Sequence, residues 1–272
     1  VYIARDGEQS HESPGWLNGE EIMYSVPERW IGRVSLKYRE TAYGAGFAGS
    51  FHCDDDSLNR LWKMARRTLL LTMRDNFMDC PCRERAQWPG DMVIQLGQVP
   101  YCMDESARRL VRKGLRETLR WQRDDGVVYG PVPEGNWRME LPAQMLAVIG
   151  PYGLWTYYLH SGDRETLEEL YPRVRRYLGV WSYRENGLLH YRPDEKSARQ
   201  KIVDGVRLGS WDWLDWGERI DAEPLQNLWM LSALGGVARA ADELGESKDA
   251  DAFRDKKERL LKAVRERFWD ER

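Results

Sequence analysis

The sequence is poor in several residue types on which common kinds of site depend. It has four cysteines and four histidines in 272 residues. The cysteines are too few and too unevenly spaced for a disulfide framework, and the Cys80–Cys82 pair has no second pair with which to form a zinc site. The histidines are scattered without ligand spacing, and no glycine-rich phosphate loop is present. We therefore expect buried thiols, histidines that are polar or packed residues, no metal and no cofactor.

Long hydrophobic runs and an excess of either charge are also missing. No stretch approaches the roughly 20 apolar residues of a membrane-spanning helix, and 41 basic residues balance 44 acidic ones, with the two signs interspersed. This pattern argues against membrane and nucleic-acid partners. The chain starts at Val1 without an initiator Met or a signal peptide, so we expect it to be part of a longer polypeptide, with compartment and oligomeric state unassigned.

Tryptophan is what the sequence has in excess, with 13 Trp against 5 Phe. A Trp ring offers a flat apolar face and one polar edge, which suits stacking on a sugar ring and equally suits packing between helices. With 42% apolar and 31% charged residues, the chain can bury one large core, or one core and a small appendage. Composition thus indicates a globular domain and leaves the role of each Trp open.

The chain divides near residue 50. Residues 1–50 are rich in glycine and lack helical periodicity, and only Val34–Tyr43 alternates as a strand would, so we interpret this part as the remnant of a β-domain or a linker. Residues 51–272 show a helical period, which starts with an apolar stripe expected to be buried and made of Leu58, Leu61, Trp62, Ala65, Leu69 and Thr72. Six further helices are predicted at about 91–103, 105–123, 141–160, 163–180, 223–245 and 249–268.

Two features of these helices bear on their packing. The helix at 163–180 has a regular stripe that is expected to be buried, made of Leu167, Leu170, Tyr171, Val174, Tyr177, Leu178 and Trp181. The helix at 223–245 is rich in Gly and Ala, which lets another backbone approach closely. About seven helices after a short β segment predict a mainly α fold, an α/α-barrel that this chain does not close.

Long segments rich in Trp, Gly, Pro and charge lie between the helices, at 75–90, 124–140 and 183–223. Long loops are uncommon unless they have a function. We therefore expect these segments to form one loop-built face.

The densest polar stretch is DCPCRERAQWPGD, from Asp79 to Asp91. Glu84 brings a third carboxyl to it, and Trp88 adds an apolar neighbour. Like charges packed together and an apolar neighbour each raise the pKa of a carboxyl, so one of the three is expected to be protonated near neutral pH while the others stay charged. Glycoside hydrolysis needs such a protonated carboxyl as its general acid. A salt-bridge network with the neighbouring arginines is the alternative that the spacing leaves open.

This block resembles the DCPxRERxxWxGD motif of glycoside hydrolase family 78, the α-L-rhamnosidases. The preceding GSFHCDDDSLNRLWKMARRTL is similar to the first helix of their catalytic domain, and SGDRETLEELYPRVRRYL, GSWDWLDWG and AADELG follow in the family's order. The resemblance covers residues 35–269. It implies an (α/α)6 barrel, incomplete here, that hydrolyses terminal α-L-rhamnosyl groups of a carbohydrate substrate with inversion.

The resemblance also assigns roles to residues at matched positions. Glu84 would be the general acid. The general base, a Glu, would lie beyond Arg272, so this polypeptide alone is expected to be inactive. Contacts to the sugar are implied for Asp79, Arg83, Trp88 and Asp91 and, through looser similarity, for Trp137, Glu140, Trp211 and Trp213.

Two other functions stay open on the sequence. A related α/α-barrel enzyme could act on another deoxy sugar or a uronic acid, because the motif holds a sugar ring in general and this chain departs from the family most in the loops that set specificity. A carbohydrate-binding or structural helical domain without catalysis is the other. A panel of aryl glycosides would separate the two enzymes, and pH-dependent turnover would separate both from the non-catalytic domain.

Overall fold

The structure of the protein is a computed structural model that describes residues 2–133, 135, 137–190, 201–203, 206–210 and 221–269. The described part is mainly helical. The helices are α1 (Asp56–Thr72), α2 (Pro89–Cys102), α3 (Arg108–Arg120), α4 (Pro142–Ile149), α5 (Leu154–Ser161), α6 (Arg164–Gly179), α7 (Ala222–Leu244) and α8 (Ser247–Phe268), with short 3-10 helices at Glu28–Trp30 and Glu105–Ala107. The strands are β1 (Trp137–Glu140), β2 (Lys201–Val203) and β3 (Val206–Ser210). Within these residues, no helix is both long and apolar enough to cross a membrane.

Helix α6 forms as the sequence predicts. Asp163 caps its start, and the carboxylate accepts a hydrogen bond from the backbone N–H of Thr166 at 3.0 Å. The predicted stripe of α6 is buried, namely Leu167, Leu170, Tyr171, Val174, Tyr177 and Leu178, with Trp181 just after the helix. The helical period therefore predicted both the helix and its buried face.

The single helix predicted at 141–160 is wrong, because the chain forms two helices there. Helices α4 and α5 are separated at Gly150–Gly153, where Pro151 has no backbone N–H with which to continue the helix. A Cβ placed on Gly236 of α7 would lie 2.6 Å from the backbone nitrogen of Pro151. The small residues of α7 thus allow the close approach that the sequence predicts, and α7 packs directly on this break.

The buried stripe predicted for α1 is only partly correct. Leu69 and Thr72, near the end of α1, are buried, and Trp62 is half-buried against the core. Leu58 and Leu61, near its start, are 47% and 58% exposed, and Ala65 is exposed as well. Among the described helices α1 packs on α2. The N-terminal half of α1 therefore leaves Leu58 and Leu61 exposed to solvent.

The strand predicted at Val34–Tyr43 is also wrong, since these residues form neither helix nor strand. Val34, Leu36 and Tyr38 are exposed, so the alternating pattern has no apolar layer to pack against. The strands lie instead within the long loops, in a sheet of order β1-β3-β2 with β1 parallel to β3. The domain boundary near residue 50 stays a prediction.

The long connections meet at one end of the helices. They follow α1, α3 and α6. Trp88 in the first contacts Trp137 in the second, and β3 in the third pairs with β1 in the second. The two-residue turns Gly162–Asp163 and Gly245–Glu246 are brought together elsewhere by the ion pair of Arg164 and Glu243, 3.4 Å apart. Helix α6, with 16 residues, runs about 24 Å from one group to the other. The described parts of these connections therefore form the loop-built face that the sequence predicts.

Candidate active site

The connection between α1 and α2 carries a short loop, Cys80–Arg85, closed at its base by two hydrogen bonds. The Asp79 backbone N–H donates to the Ala86 carbonyl at 2.9 Å, and the Ala86 N–H donates to Asp79 Oδ1 at 2.9 Å. Gln95 of α2 adds a third bond, from Nε2 to the Met78 carbonyl at 2.7 Å. This 80–85 loop is therefore fixed at its ends although much of it is exposed.

Glu84 stands on the 80–85 loop with contacts to both carboxylate oxygens. Its Oε2 accepts a hydrogen bond from the indole Nε1 of Trp88 at 2.6 Å, and its Oε1 lies 2.8 Å from a guanidinium nitrogen of Arg83. The Glu84 side chain is 34% exposed and that of Arg83 is 76% exposed. One oxygen thus accepts from a buried donor, whereas the other contacts a cation that is mostly exposed to solvent.

Trp88 links the 80–85 loop to the helical core. It is 7% exposed, lies at the N-cap position of α2, and contacts Trp137 edge to face at a centroid distance of 5.8 Å. The next turn is fixed from α4, because the Gly90 N–H donates to Gln144 Oε1 at 2.8 Å. The indole N–H that faces Glu84 is therefore held by packing on several sides.

Gln87, for which no role was predicted from the sequence, stabilises the same region through contacts to the connection after α3. It is buried, its Nε2 donates to the Val132 carbonyl at 3.2 Å, and its backbone carbonyl accepts from the Val132 N–H at 3.3 Å. It thereby ties the connection after α1 to the connection after α3. A polar residue next to a Trp between two helices is too common for the sequence to have identified it.

The three carboxyls of the motif occupy three different environments. Asp79 is half-buried and closes the base of the loop, whereas Glu84 contacts Trp88. Asp91 is exposed in the first turn of α2. The predicted crowding of carboxyls is therefore not what surrounds Glu84 directly: the contacts to its oxygens are an indole and a guanidinium.

The more distant candidates divide between two connections. Trp137 starts β1 beside Trp88, and Glu140 ends β1, half-buried and opposite Ser210 of β3. Trp211 and Trp213 lie outside the described residues. The structure thus joins Glu84, Trp88 and Trp137 through direct contacts and puts Glu140 on the same strand.

The four cysteines are free thiols in different surroundings. Cys102 is buried, as predicted, and burial raises the pKa of its thiol. The prediction is wrong for the others, because Cys53 and Cys80 are half-buried and Cys82 is exposed. Cys80 and Cys82 belong to the 80–85 loop, and Cys80 Sγ accepts a hydrogen bond from the Glu84 backbone N–H at 3.4 Å.

Known proteins are similar to this chain in sequence and in fold. A family model described as the bacterial alpha-L-rhamnosidase six-hairpin glycosidase domain matches residues 47–272. An alpha-L-rhamnosidase of Streptomyces avermitilis is 28% identical over 239 residues, which are 85% of this chain and 20% of that protein. One of Formosa agariphila is 23% identical over 245 residues, 81% of this chain and 23% of that protein. The chain spans about a fifth of the length of these curated relatives.

Solved structures show the same arrangement of helices. A glycoside hydrolase family 78 rhamnosidase of Bacillus sp. GL1 superposes with a TM-score of 0.70 at 24% identity, over 85% of this chain and 22% of that one. A rhamnosidase of Klebsiella oxytoca, with rhamnose bound, has a TM-score of 0.67 at 22% identity, over 83% of this chain and 41% of that one. These likenesses establish the fold as an α/α barrel.

Proposed function

Since this chain belongs to the bacterial α-L-rhamnosidase six-hairpin glycosidase family, we propose that it supplies the acid half of an active site that hydrolyses terminal α-L-rhamnosyl groups with inversion. Glu84 is the general acid. The observation that carries this assignment is the 2.6 Å hydrogen bond from Trp88 Nε1 to Glu84 Oε2, on a side chain that is still 34% exposed. The carboxyl is thus both oriented and within reach of a substrate.

The contacts of Glu84 suggest how the proton is delivered. The protonated carboxyl carries its hydrogen on Oε1, where the solvated Arg83 guanidinium gives way to the substrate. The proton passes from Oε1 to the departing glycosidic oxygen as the bond to the sugar breaks. Negative charge then develops on Glu84, and the bond donated by Trp88 strengthens, because a hydrogen bond to a carboxylate is stronger than one to a neutral acid.

Inversion needs a second carboxyl about 6.5–9.5 Å from the first, with a water between them. We propose that this general base, a Glu, lies outside residues 1–272. The base takes a proton from this water as the water oxygen bonds to the anomeric carbon. The glycosidic bond breaks at the same time, and its oxygen leaves with the proton from Glu84, so the reaction uses no cofactor.

The sugar would lie on the loop face beside Glu84. Trp88 and Trp137 form its apolar wall, supported by their perpendicular contact. Polar contacts to the sugar are proposed for Asp79, Arg83, Asp91 and Glu140, and further ring contacts for Trp211 and Trp213. The Oδ1 of Asp79 already accepts the Ala86 N–H, so the proposed contact of Asp79 to the sugar uses Oδ2.

The test is a Glu84→Gln variant of the full product of the open reading frame. With an unactivated phenyl α-L-rhamnoside as substrate, whose leaving oxygen needs protonation, we expect kcat to fall by about 10²–10⁴-fold, the usual contribution of a general acid. Rhamnose binding, measured by calorimetry, is expected to persist, because Gln keeps an acceptor for the Trp88 N–H. Glu105→Gln, at an exposed carboxyl of the short 3-10 helix, is the matched control and should keep the full rate.

The same experiment addresses the other two functions. Full activity of Glu84→Gln would remove Glu84 as the acid. Activity of the unaltered enzyme on a different aryl glycoside, with none on the rhamnoside, would assign the site to another sugar. Sugar binding without pH-dependent turnover on any substrate would make the domain non-catalytic.

A further inference from the structure

Arg85, next to the proposed acid, has an unusual backbone conformation. Among the described residues it alone of the non-glycine residues has a positive φ, 55°. This left-handed conformation is unfavourable for a residue with a Cβ, and it persists only where surrounding contacts impose it. At Arg85 the chain completes the reversal that lets the Ala86 N–H reach Asp79 Oδ1.

The contacts that impose this conformation come largely from the N-terminal segment. The Arg85 guanidinium lies 3.8 Å from the ring centroid of Trp16, and it donates to the Trp16 carbonyl at 3.4 Å and to Asn18 Oδ1 at 3.2 Å. Its Nε donates back across the 80–85 loop to the Pro81 carbonyl at 2.9 Å. A guanidinium with this many defined partners has little freedom to change its backbone angles.

A second arginine holds Trp16 in place. The Arg74 guanidinium lies over the Trp16 ring at 4.5 Å and donates to the Thr41 carbonyl at 2.6 Å. Two cations thus contact one indole, an arrangement stabilised by cation–π attraction. Arg74 belongs to the connection after α1, so the N-terminal segment contacts the chain both before the 80–85 loop and at the last residue of this loop.

We infer that Trp16 and Arg85 are positioning residues for Glu84, and that the N-terminal segment is a working part of the active site although it lies outside the matched family domain at 47–272. This rests on the proposed role of Glu84. Trp16 and Asn18 hold Arg85 in its left-handed conformation. That conformation keeps the Glu84 N–H on Cys80 Sγ and the Glu84 carboxyl on Trp88. Without Trp16, Arg85 relaxes and the acid leaves its indole partner.

The distinguishing measurement is the dependence of rate on the leaving group. An alkyl α-L-rhamnoside needs its leaving oxygen protonated, whereas a dinitrophenyl rhamnoside does not, so a misplaced acid slows the first much more than the second. In the full product of the open reading frame, we expect Trp16→Ala to lower kcat on the alkyl substrate about 10-fold or more and to change the dinitrophenyl rate little. Trp16→Phe keeps an aromatic face for Arg85 and should restore most of the rate.

One control variant and one physical measurement make the result decisive. Trp30→Ala is the matched control, a half-buried Trp of the same segment in the Glu28–Trp30 helix. An equal loss on both substrates, or a loss in Trp30→Ala like that in Trp16→Ala, would overturn the positioning role. Hydrogen exchange of the peptide 79–88 should be at least about 10-fold faster in Trp16→Ala than in the parent enzyme. Unchanged exchange would show that Trp16 does not hold the 80–85 loop in place.

Glu84→Gln separates failure of this inference from failure of the proposed function. If Glu84→Gln loses the alkyl substrate selectively and Trp16→Ala does not, the positioning role is wrong and the acid stands. If Glu84→Gln shows no such selectivity, the assignment of Glu84 as the acid is wrong. The positioning role of Trp16 and Arg85 is then wrong too, because it depends on that assignment.

Discussion

The helical centre and the 80–85 loop reach a defined conformation by opposite means. All eight residues of α4 are buried, and α7 packs on the break after α4 so closely that Gly236 has no room for a side chain. The 80–85 loop buries none of its residues. It is held by hydrogen bonds at its base, by Trp88 and by the guanidinium of Arg85.

We therefore expect folding and chemistry to be separable in this molecule. Apolar burial in the centre supplies most of the stability, since each buried aliphatic side chain contributes about 1.5–3 kcal/mol. The polar contacts of the loop contribute about 1 kcal/mol each, because they replace bonds to water. Changes in the centre should therefore lower the stability of the protein, whereas changes in the loop should leave it folded and impair turnover.

The largest effect is expected from Gly236→Ala. The new Cβ would lie 2.6 Å from the Pro151 nitrogen and 2.8 Å from the Gly150 carbonyl carbon, both backbone atoms that cannot rotate away. We expect the free energy of unfolding, measured by chemical denaturation, to fall by about 3 kcal/mol. Gly235→Ala is the control, because its Cβ meets only the flexible end of Lys257, and Ala is favoured over Gly in a helix. Equal losses in the two variants would contradict close packing at this point.

A smaller loss of stability is expected from Asp163→Ala. Asp163 caps α6 and accepts hydrogen bonds from the Tyr157 hydroxyl at 2.6 Å and the Thr166 hydroxyl at 2.7 Å. Loss of such a cap lowers the free energy of unfolding by about 1–2 kcal/mol. Because Asp163 is remote from the loop face, kcat per folded molecule should not change, and a drop in kcat would break the separation proposed above.

Asp163 also predicts a dependence of stability on pH. Burial raises the pKa of its carboxyl, but hydrogen bonds from Tyr157 and Thr166 and the charge of Arg112 outweigh burial, so the pKa lies below its ordinary value. The stabilisation is therefore complete above the unfolded pKa of about 3.9 and is lost as pH falls through the folded pKa. The stability difference between the parent and Asp163→Asn should shrink below about pH 4, and a constant difference would contradict an ionised cap.

The smallest effect on stability is expected in the loop, from Asp79→Ala. Removing the acceptor for the Ala86 N–H should cost about 1 kcal/mol, while kcat falls because the base of the 80–85 loop opens. Asp79→Asn keeps an oxygen at this position and should restore the stability. Any loss of activity left in Asp79→Asn measures the proposed contact to the sugar, and full activity there would limit Asp79 to closing the loop.

The sequence predicted the elements whose cause is local. The stripe of α6 and the cap at Asp163 depend on residues within one helix, and five of the predicted helices end within about three residues of the observed bounds. The break at Gly150–Gly153 was missed, because the prediction followed the apolar period through a Gly-Pro pair on which α7 then packs. Leu58 and Leu61 were predicted to be buried because a period identifies an apolar face without showing what covers it.

The site residues also divide into those whose contacts are local in sequence and those whose contacts are distant. Glu84 and Trp88 are four residues apart in one motif, so the sequence could suggest that they act together. The contacts of Arg85 to Trp16 and Asn18 span 69 and 67 residues, and no local pattern marks them. The strands that join the long connections were missed too, because β1 has four residues and pairs with β3 far along the chain.

The uneven lengths of the connections bear on how such a domain can diversify. Gly162 and Gly245 close their turns in left-handed conformations, so extra residues there would disturb the helix pairing on which folding depends. At the opposite end of the helices, insertions can lengthen the connections without moving the helices. Preferences for different glycosides can therefore evolve on the loop-built face, while the helices and their short turns stay unchanged.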